Sequence, residues 1–306
     1  MEEFLRTVLP ALLALVTTWG FDRATRRRGL DPPGFAVPAT LPGDHGTLRQ
    51  IRRGIALSAL CAVLWIGVFL PLGAIGTDQE VDIQGLTVPQ LFMLHGILIL
   101  CVAVWYVCGF VFIGIGSGPE TRSWKTQLGF RAKSIWRELG LGLIAGVGAW
   151  LLVLVVLVVV GMTIWWLGGE EMLPQQPPPL IPWIAALPLG FKLLVSVSAG
   201  VSEEIFFRGF LQPRMGLAAS TGLFVLAHAS YEQPIMLVGI LILSLVYGLL
   251  AQWRQTIWPA IAAHALFDAV QLLVVIPTAL DLLPDKGEGV LVPVAALFAF
   301  LRLGLG

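Results

Sequence analysis

Charged residues are scarce in this chain of 306 residues. Only 12% are Asp, Glu, Lys or Arg, whereas about 25% is usual for a soluble domain. Nineteen basic and nineteen acidic residues leave no net charge, which excludes a protein that binds nucleic acid through surplus positive charge. Cysteine is also rare. The three present, Cys61, Cys101 and Cys108, lie in apolar runs, so no disulfide framework is expected.

Hydrophobic residues are correspondingly abundant, at 57% of the chain, with a mean hydropathy of +0.86. This composition excludes a disordered chain and predicts a protein embedded in the lipid bilayer, where a helix needs about 20 apolar residues to cross. We expect an all-α fold, a polytopic bundle of eight or nine transmembrane helices. The candidate spans are residues 4–19, 54–77, 83–119, 139–169, 182–202, 216–229, 234–253, 256–276 and 290–301. The first and last are short enough to lie in the interface instead.

Basic residues concentrate in alternate loops. Segments 22–53 and 116–138 are rich in arginine and lysine, whereas the loops around 78–82 and 170–179 carry only acidic charges. Because Lys and Arg favour the cytoplasmic side, we expect the Arg-rich loops to be cytoplasmic in a bacterial inner membrane. The acidic start of the chain favours a retained first helix over a signal peptide.

The proline-rich segment before residue 180 suggests a division of the chain. We expect residues 1–179 to hold N-terminal transmembrane helices, two Arg-rich loops and an extended outer linker. Residues 180–306 are expected to form a second transmembrane unit, the core that carries the candidate site residues described next.

Ionisable side chains near the end of the fifth predicted span form the first candidate site. Glu204 and Arg208 are four residues apart on a helix, which predicts an ion pair with a planar, bidentate arginine contact. Glu203 points about 100° away and is free to face a cavity. The alternative is a charged helix end that snorkels to water.

Two later predicted helices carry histidines. His228 follows Phe224 by four residues, and His264 precedes Asp268 by four, so each pair lies on one helix face. Taken singly, His228 fits a polar group that hydrogen-bonds a neighbouring helix, and His264 with Asp268 fits a self-satisfied polar pair that holds helices together. Lys192 stands alone in the fifth span and is expected to snorkel toward the outer face.

Burying all of these charged and polar side chains in a purely structural role costs much free energy, whereas one shared water-filled cavity hydrates them. A glutamate and two histidines provide the acid, base and hydrogen-bond donor groups that hydrolysis by water requires. Glutamate can act as general base, and histidine can donate to an oxyanion or protonate a leaving amine. Glu203, His228 and His264 could instead ligate a divalent metal such as zinc, which would acidify the water. No cofactor is our preferred expectation, because no H-E-x-x-H helix and no nearby cysteine ligand are present.

The ordered motifs resemble the signature of the CAAX-protease and bacteriocin-processing (CPBP) family of intramembrane proteases. That family includes type II CAAX prenyl proteases and bacteriocin-processing and immunity (Abi-like) proteins. The matching motifs are Glu203-Glu204-x-x-x-Arg208, Phe224-x-x-x-His228 and His264-x-x-x-Asp268, within about 180–276. The N-terminal spans show no such match.

The resemblance implies a glutamic-type peptidase acting on a membrane-anchored protein or peptide. By analogy Glu203 activates the water, and His228 holds or polarises it. His264 and Asp268 bind the oxyanion or steady the site. The supporting residues are Glu204, Arg208 and Phe224.

Two other functions fit the same residues. Buried acids and histidines also form the ion or proton path of coupled transporters, although no inverted repeat is evident. A non-catalytic scaffold or immunity protein would keep the motifs only for packing, and would be sensitive to bulk at Gly200 or Gly209.

Overall fold

The computed structural model describes residues 2–27, 45–73, 128–168, 185–229 and 234–281. Within these ranges all regular secondary structure is helical, which confirms the predicted all-α class there. The helices are α1 (Glu2–Arg27), α2 (His45–Leu64), α3 (Ile135–Gly168), α4 (Leu189–Glu204), α5 (Leu217–Ala227), α6 (Pro234–Arg254) and α7 (Trp258–Val270). Wider π-helical turns continue three of them, at Trp65–Phe69 after α2, Ile205–Leu211 after α4 and Gln271–Val275 after α7. Short α-helical segments then follow, at Leu70–Gly73, Gln212–Met215 and Ile276–Asp281.

Three of the described helices are long and apolar enough to cross a membrane. They are Ile135–Gly168, Pro234–Arg254 and Trp258–Leu280, and shorter apolar helices cover Gly54–Phe69 and Leu217–Ala227. Their outward faces are rich in exposed large hydrophobic side chains, as expected of helices in contact with lipid.

Two of the predicted spans, 83–119 and 290–301, lie outside the described residues, so the count of eight or nine stays a prediction. The Arg-rich segment 22–53, predicted to be a loop, begins inside a helix, because α1 continues to Arg27.

Helix α7 lies between α3 and α4, and small residues let all three approach closely. A Cβ built on Gly142 of α3 would lie 2.8 Å from the Cα of Pro259 and closer still to its carbonyl oxygen. On α4, a Cβ on Gly200 would lie 3.0 Å from the backbone nitrogen of Ala265. The helix that carries His264 is thus held on two sides at backbone distance.

We expect Gly142→Ala to destabilise the protein by about 3 kcal/mol, the upper end for overpacking, because the obstructing atoms are backbone. Gly148→Ala on the same helix is the matched control, since a Cβ there meets nothing within 4 Å. The control should be neutral or slightly stabilising, because alanine favours the helix over glycine. Thermal unfolding in detergent measures both, and equal midpoints for the two variants would contradict the close packing.

A glycine turn sets the direction of α5. Gly216 has φ +93° and ψ 167°, a backbone conformation open essentially to glycine alone. Immediately after the turn, the Ser220 hydroxyl donates to the carbonyl of Phe207 at 2.7 Å. The Phe207 and Phe224 rings pack edge to face at 5.0 Å. These contacts hold α5 against the π-helical turn that follows α4.

The end of α6 is joined to the start of α3. Arg254 donates to both carboxylate oxygens of Glu138, from Nε at 2.9 Å and Nη2 at 2.6 Å. Nearby, the backbone N–H of Ile257 donates to the carbonyl of Gly129 at 2.9 Å. The turn between α6 and α7 is therefore fixed to the segment that precedes α3.

Candidate active site

The predicted Glu-Glu-x-x-x-Arg motif lies where α4 changes into a π-helical turn. Glu204 is the last residue of α4, and Ile205–Leu211 form the wider turn. Every residue from Phe206 to Leu211 is buried, which a regular amphipathic helix does not allow. Such turns occur often at functional sites. The motif spacing alone had suggested an uninterrupted α-helix.

The ion pair predicted between Glu204 and Arg208 is present, with Arg208 Nη1 at 3.1 Å from Glu204 Oε1. The predicted bidentate contact is wrong, because Nη1 faces the carboxylate as an ion pair while Nη2 faces another helix. Its Nη2 donates to the hydroxyl of Ser244 on α6 at 3.2 Å. Arg208 therefore connects the motif to a helix outside it.

Glu204 also contacts His264 directly, a contact that the motifs did not predict. His264 Nδ1 donates to Glu204 Oε1 at 2.8 Å, and the Glu204 side chain is 0% exposed. On the opposite edge of the ring, His264 Nε2 lies 3.5 Å from Asp268 Oδ2. His264 is thus held between two carboxylates, and Glu204 does more than fix a helix end.

Glu203 and His228 form a second, more accessible pair. Glu203 Oε2 lies 3.7 Å from His228 Nε2, with 30% and 17% of the two side chains exposed. His228 Nδ1 lies 2.8 Å from the carbonyl oxygen of Phe224. Since a carbonyl only accepts, Nδ1 carries the proton, and Nε2 of the neutral ring is an acceptor. Two acceptors at this distance are suited to a water molecule that donates to both.

Phe224 brings the two pairs together. Its ring centroid lies 4.6 Å from that of His228 and 6.1 Å from that of His264. The Arg208 guanidinium lies over the same ring at 4.2 Å, a favourable cation–π distance. Every side chain of the three predicted motifs therefore belongs to one cluster.

Two residues of α6 belong to this cluster but were missed from the sequence. Ser244 accepts from Arg208, and the Tyr247 ring stacks on His264 at 5.1 Å. The available signal was a pair of polar residues three apart, hence on one face, in an otherwise apolar span. Four residues after Ser244, on the same face of α6, the carbonyl of Gly248 accepts a hydrogen bond from Gln212 Nε2 at 2.8 Å.

Two further basic side chains are buried. Lys192 is 8% exposed and donates to the carbonyl of Ala185 at 2.7 Å, so the predicted snorkelling to water is not observed. Arg214 is buried and donates to the carbonyl of Phe210 at 2.8 Å. Burial lowers the pKa of the Arg214 guanidinium to about 10, which leaves it charged at neutral pH.

The arrangement does not fit a three-ligand metal centre. Among the described residues no group of three His, Cys, Asp or Glu side chains is placed to hold an ion. Of the three side chains considered as metal ligands, Glu203 and His228 face each other, whereas His264 faces Glu204 and Asp268.

Residues 185–270 match a family model described as type II CAAX prenyl endopeptidase Rce1-like. This part of the chain is similar to the Rce1-like family. The matched region runs from just before α4 through α7, contains every candidate site residue, and confirms the resemblance inferred from the three motifs.

One curated relative also matches this chain. Over 79 residues the chain is 27% identical to the uncharacterized protein YpbD of Bacillus subtilis strain 168. The alignment covers 26% of this chain and 42% of that protein, so the chain spans about two fifths of the length of this relative. No solved structure gives a significant match.

Proposed function

We propose that this protein is an intramembrane endopeptidase of the glutamic type, which hydrolyses a peptide bond in a membrane-anchored protein. The observation that carries the proposal is the pair of acceptors, Glu203 Oε2 and His228 Nε2, 3.7 Å apart. The pair lies in an Rce1-like region beside a buried Arg208–Glu204–His264 network. The apolar helices around it support chemistry within a bilayer.

In the first step, a water molecule donates one hydrogen bond to Glu203 and another to His228. Glu203 takes the proton as the water oxygen attacks the carbonyl carbon of the scissile peptide bond. His228 holds the water in line, because its ring is fixed by the hydrogen bond to the Phe224 carbonyl. Although 30% of its side chain is exposed, Glu203 Oε2 itself is buried, which shields the reacting proton from bulk solvent.

In the second step, negative charge develops on the former carbonyl oxygen. His264 in its charged form donates Nδ1–H to Glu204 and presents Nε2–H on the side of Asp268, where it stabilises the oxyanion. The C–N bond then breaks, and protonated Glu203 returns its proton to the leaving amine. The products are a carboxylic acid and a free amine.

The wider organisation of the chain is part of the proposal. Residues 180–306 form the catalytic core, and residues 1–179 supply additional membrane helices that shape substrate access. The Arg-rich loops face the cytoplasm of a bacterial inner membrane. The substrate is a protein or peptide anchored in the same bilayer.

The proposal predicts cleavage of a membrane-anchored reporter peptide by the full chain in liposomes. We expect His228→Ala to lower kcat/KM by about a hundredfold, the lower range for loss of an acid–base group. Leu226→Ala, on the exposed side of the same helix, is the control and should cleave at the wild-type rate.

Two results would contradict the proposal. One is equal cleavage by wild type and His228→Ala. The other is coupled proton or cation flux without peptide turnover that His264→Ala abolishes, which would indicate the transporter considered from the sequence.

A further inference from the structure

The phenolic oxygen of Tyr247 is a buried polar atom beside the candidate site. The side chain is fully buried, and Oη has no hydrogen-bond partner among the described residues. A hydroxyl buried in this way is destabilising unless it has a partner. If the ring served only for packing, phenylalanine would fit the position better.

Glu204 presents an atom of the complementary kind. Its Oε1 contacts both His264 and Arg208, but its Oε2 is buried and has no hydrogen-bond partner within the described ranges. A phenol donates through its O–H, and an ionised carboxylate only accepts. The donor of one side chain therefore suits the acceptor of the other.

These two side chains share the same two neighbours. The Tyr247 ring stacks on His264 at 5.1 Å with an interplanar angle of 21°, and Arg208 Cζ lies 5.7 Å from the ring centroid. Glu204 Oε1 contacts the same imidazole at 2.8 Å and the same guanidinium at 3.1 Å. The phenol and the carboxylate thus belong to one compact buried cluster.

We propose that Tyr247 is a positioning residue for His264, acting through Glu204. The Tyr247 hydroxyl donates to one internal water, and that water donates to Glu204 Oε2. Bridging waters of this kind normally satisfy buried polar groups that do not touch. The bridge prevents the carboxylate from rotating, so that Oε1 stays on His264 Nδ1. The positioning of His264 is inferred from the geometry, whereas its effect on the rate of cleavage rests on the proposed function.

The test uses Tyr247→Phe in the full chain, which removes the hydroxyl and keeps the stacked ring. We expect kcat/KM to fall about tenfold, as for loss of one hydrogen bond to a charged group, mainly through kcat. The thermal midpoint should also fall. Thr256→Val is the matched control, because Thr256 Oγ1 is likewise buried without a partner among the described residues but lies in the turn between α6 and α7.

A spectroscopic measurement separates this inference from the proposed function. The chain has only four histidines, so the His264 ring N–H resonance can be assigned by its loss in His264→Asn. Tyr247→Phe should shift that resonance, and Thr256→Val should not. A shift in a protein that cleaves no peptide would support the positioning while rejecting the peptidase. Unchanged activity, a raised thermal midpoint and an unmoved resonance in Tyr247→Phe would overturn the inference.

Discussion

Replacing Glu203 with glutamine is expected to lower kcat/KM for a membrane-anchored peptide by about a thousandfold, within the range for loss of a general base. Glutamine keeps the size of the side chain and an acceptor oxygen, but it cannot take a proton from water. The fold should be unaffected, because this side chain is partly exposed and makes no ion pair shorter than 3.7 Å among the described residues. The measurement is initial-rate cleavage in liposomes, with thermal unfolding as the check on folding.

Glu203→Asp is the informative companion variant. It keeps the carboxylate but withdraws it by about one methylene length, so that it no longer faces His228 Nε2 at the same distance. We expect an intermediate loss of activity. Activity in Glu203→Gln equal to that of the wild type would show that another group removes the proton.

Arg208→Met is expected to destabilise the fold by about 3–5 kcal/mol, the usual result of removing one partner from a buried ion pair. The reason is that Glu204 is wholly buried, and its Oε1 faces Arg208 as well as His264. Without the guanidinium, that carboxylate keeps only the imidazole as an ionic partner within the described structure. Unfolding free energies in mixed micelles measure the effect.

Arg137→Met and Arg208→Lys complete this experiment. Arg137 is exposed at the start of α3, so its replacement should change stability by less than about 0.5 kcal/mol. Lysine at 208 keeps the charge, but a single ammonium cannot reproduce the forked contact to Glu204 and Ser244. Arg208→Lys should therefore remain partly destabilised. A loss in Arg208→Met no larger than in Arg137→Met would show that the pair contributes little.

Local spacing accounts for what the sequence could predict about the site. Glu204 and Arg208, and His264 and Asp268, are each four residues apart, and both contacts occur because such neighbours meet on a helix. The all-helical class followed equally from composition and apolar runs.

Contacts between helices could not be obtained in the same way. Whether Glu203 or Glu204 meets His264 depends on how far α4 is rotated about its axis and on the π-helical turn that follows it, and no spacing rule reports either quantity. Ser244 and Tyr247 join the cluster only through side chains from other helices. The sequence showed them as two polar residues in an apolar span, with nothing nearby in the chain to pair with.

The attachment of the α6–α7 turn to the segment before α3 fixes one end of the helix that carries His264. Ile257 is tied by its backbone to Gly129, next to the point where one candidate span ends and the next begins. His264 lies seven residues beyond Ile257, about 10 Å along the helix axis. Under the proposed function, this anchored turn and the two helical turns after it fix how far from the turn a scissile bond must lie, independently of the side chains that surround it.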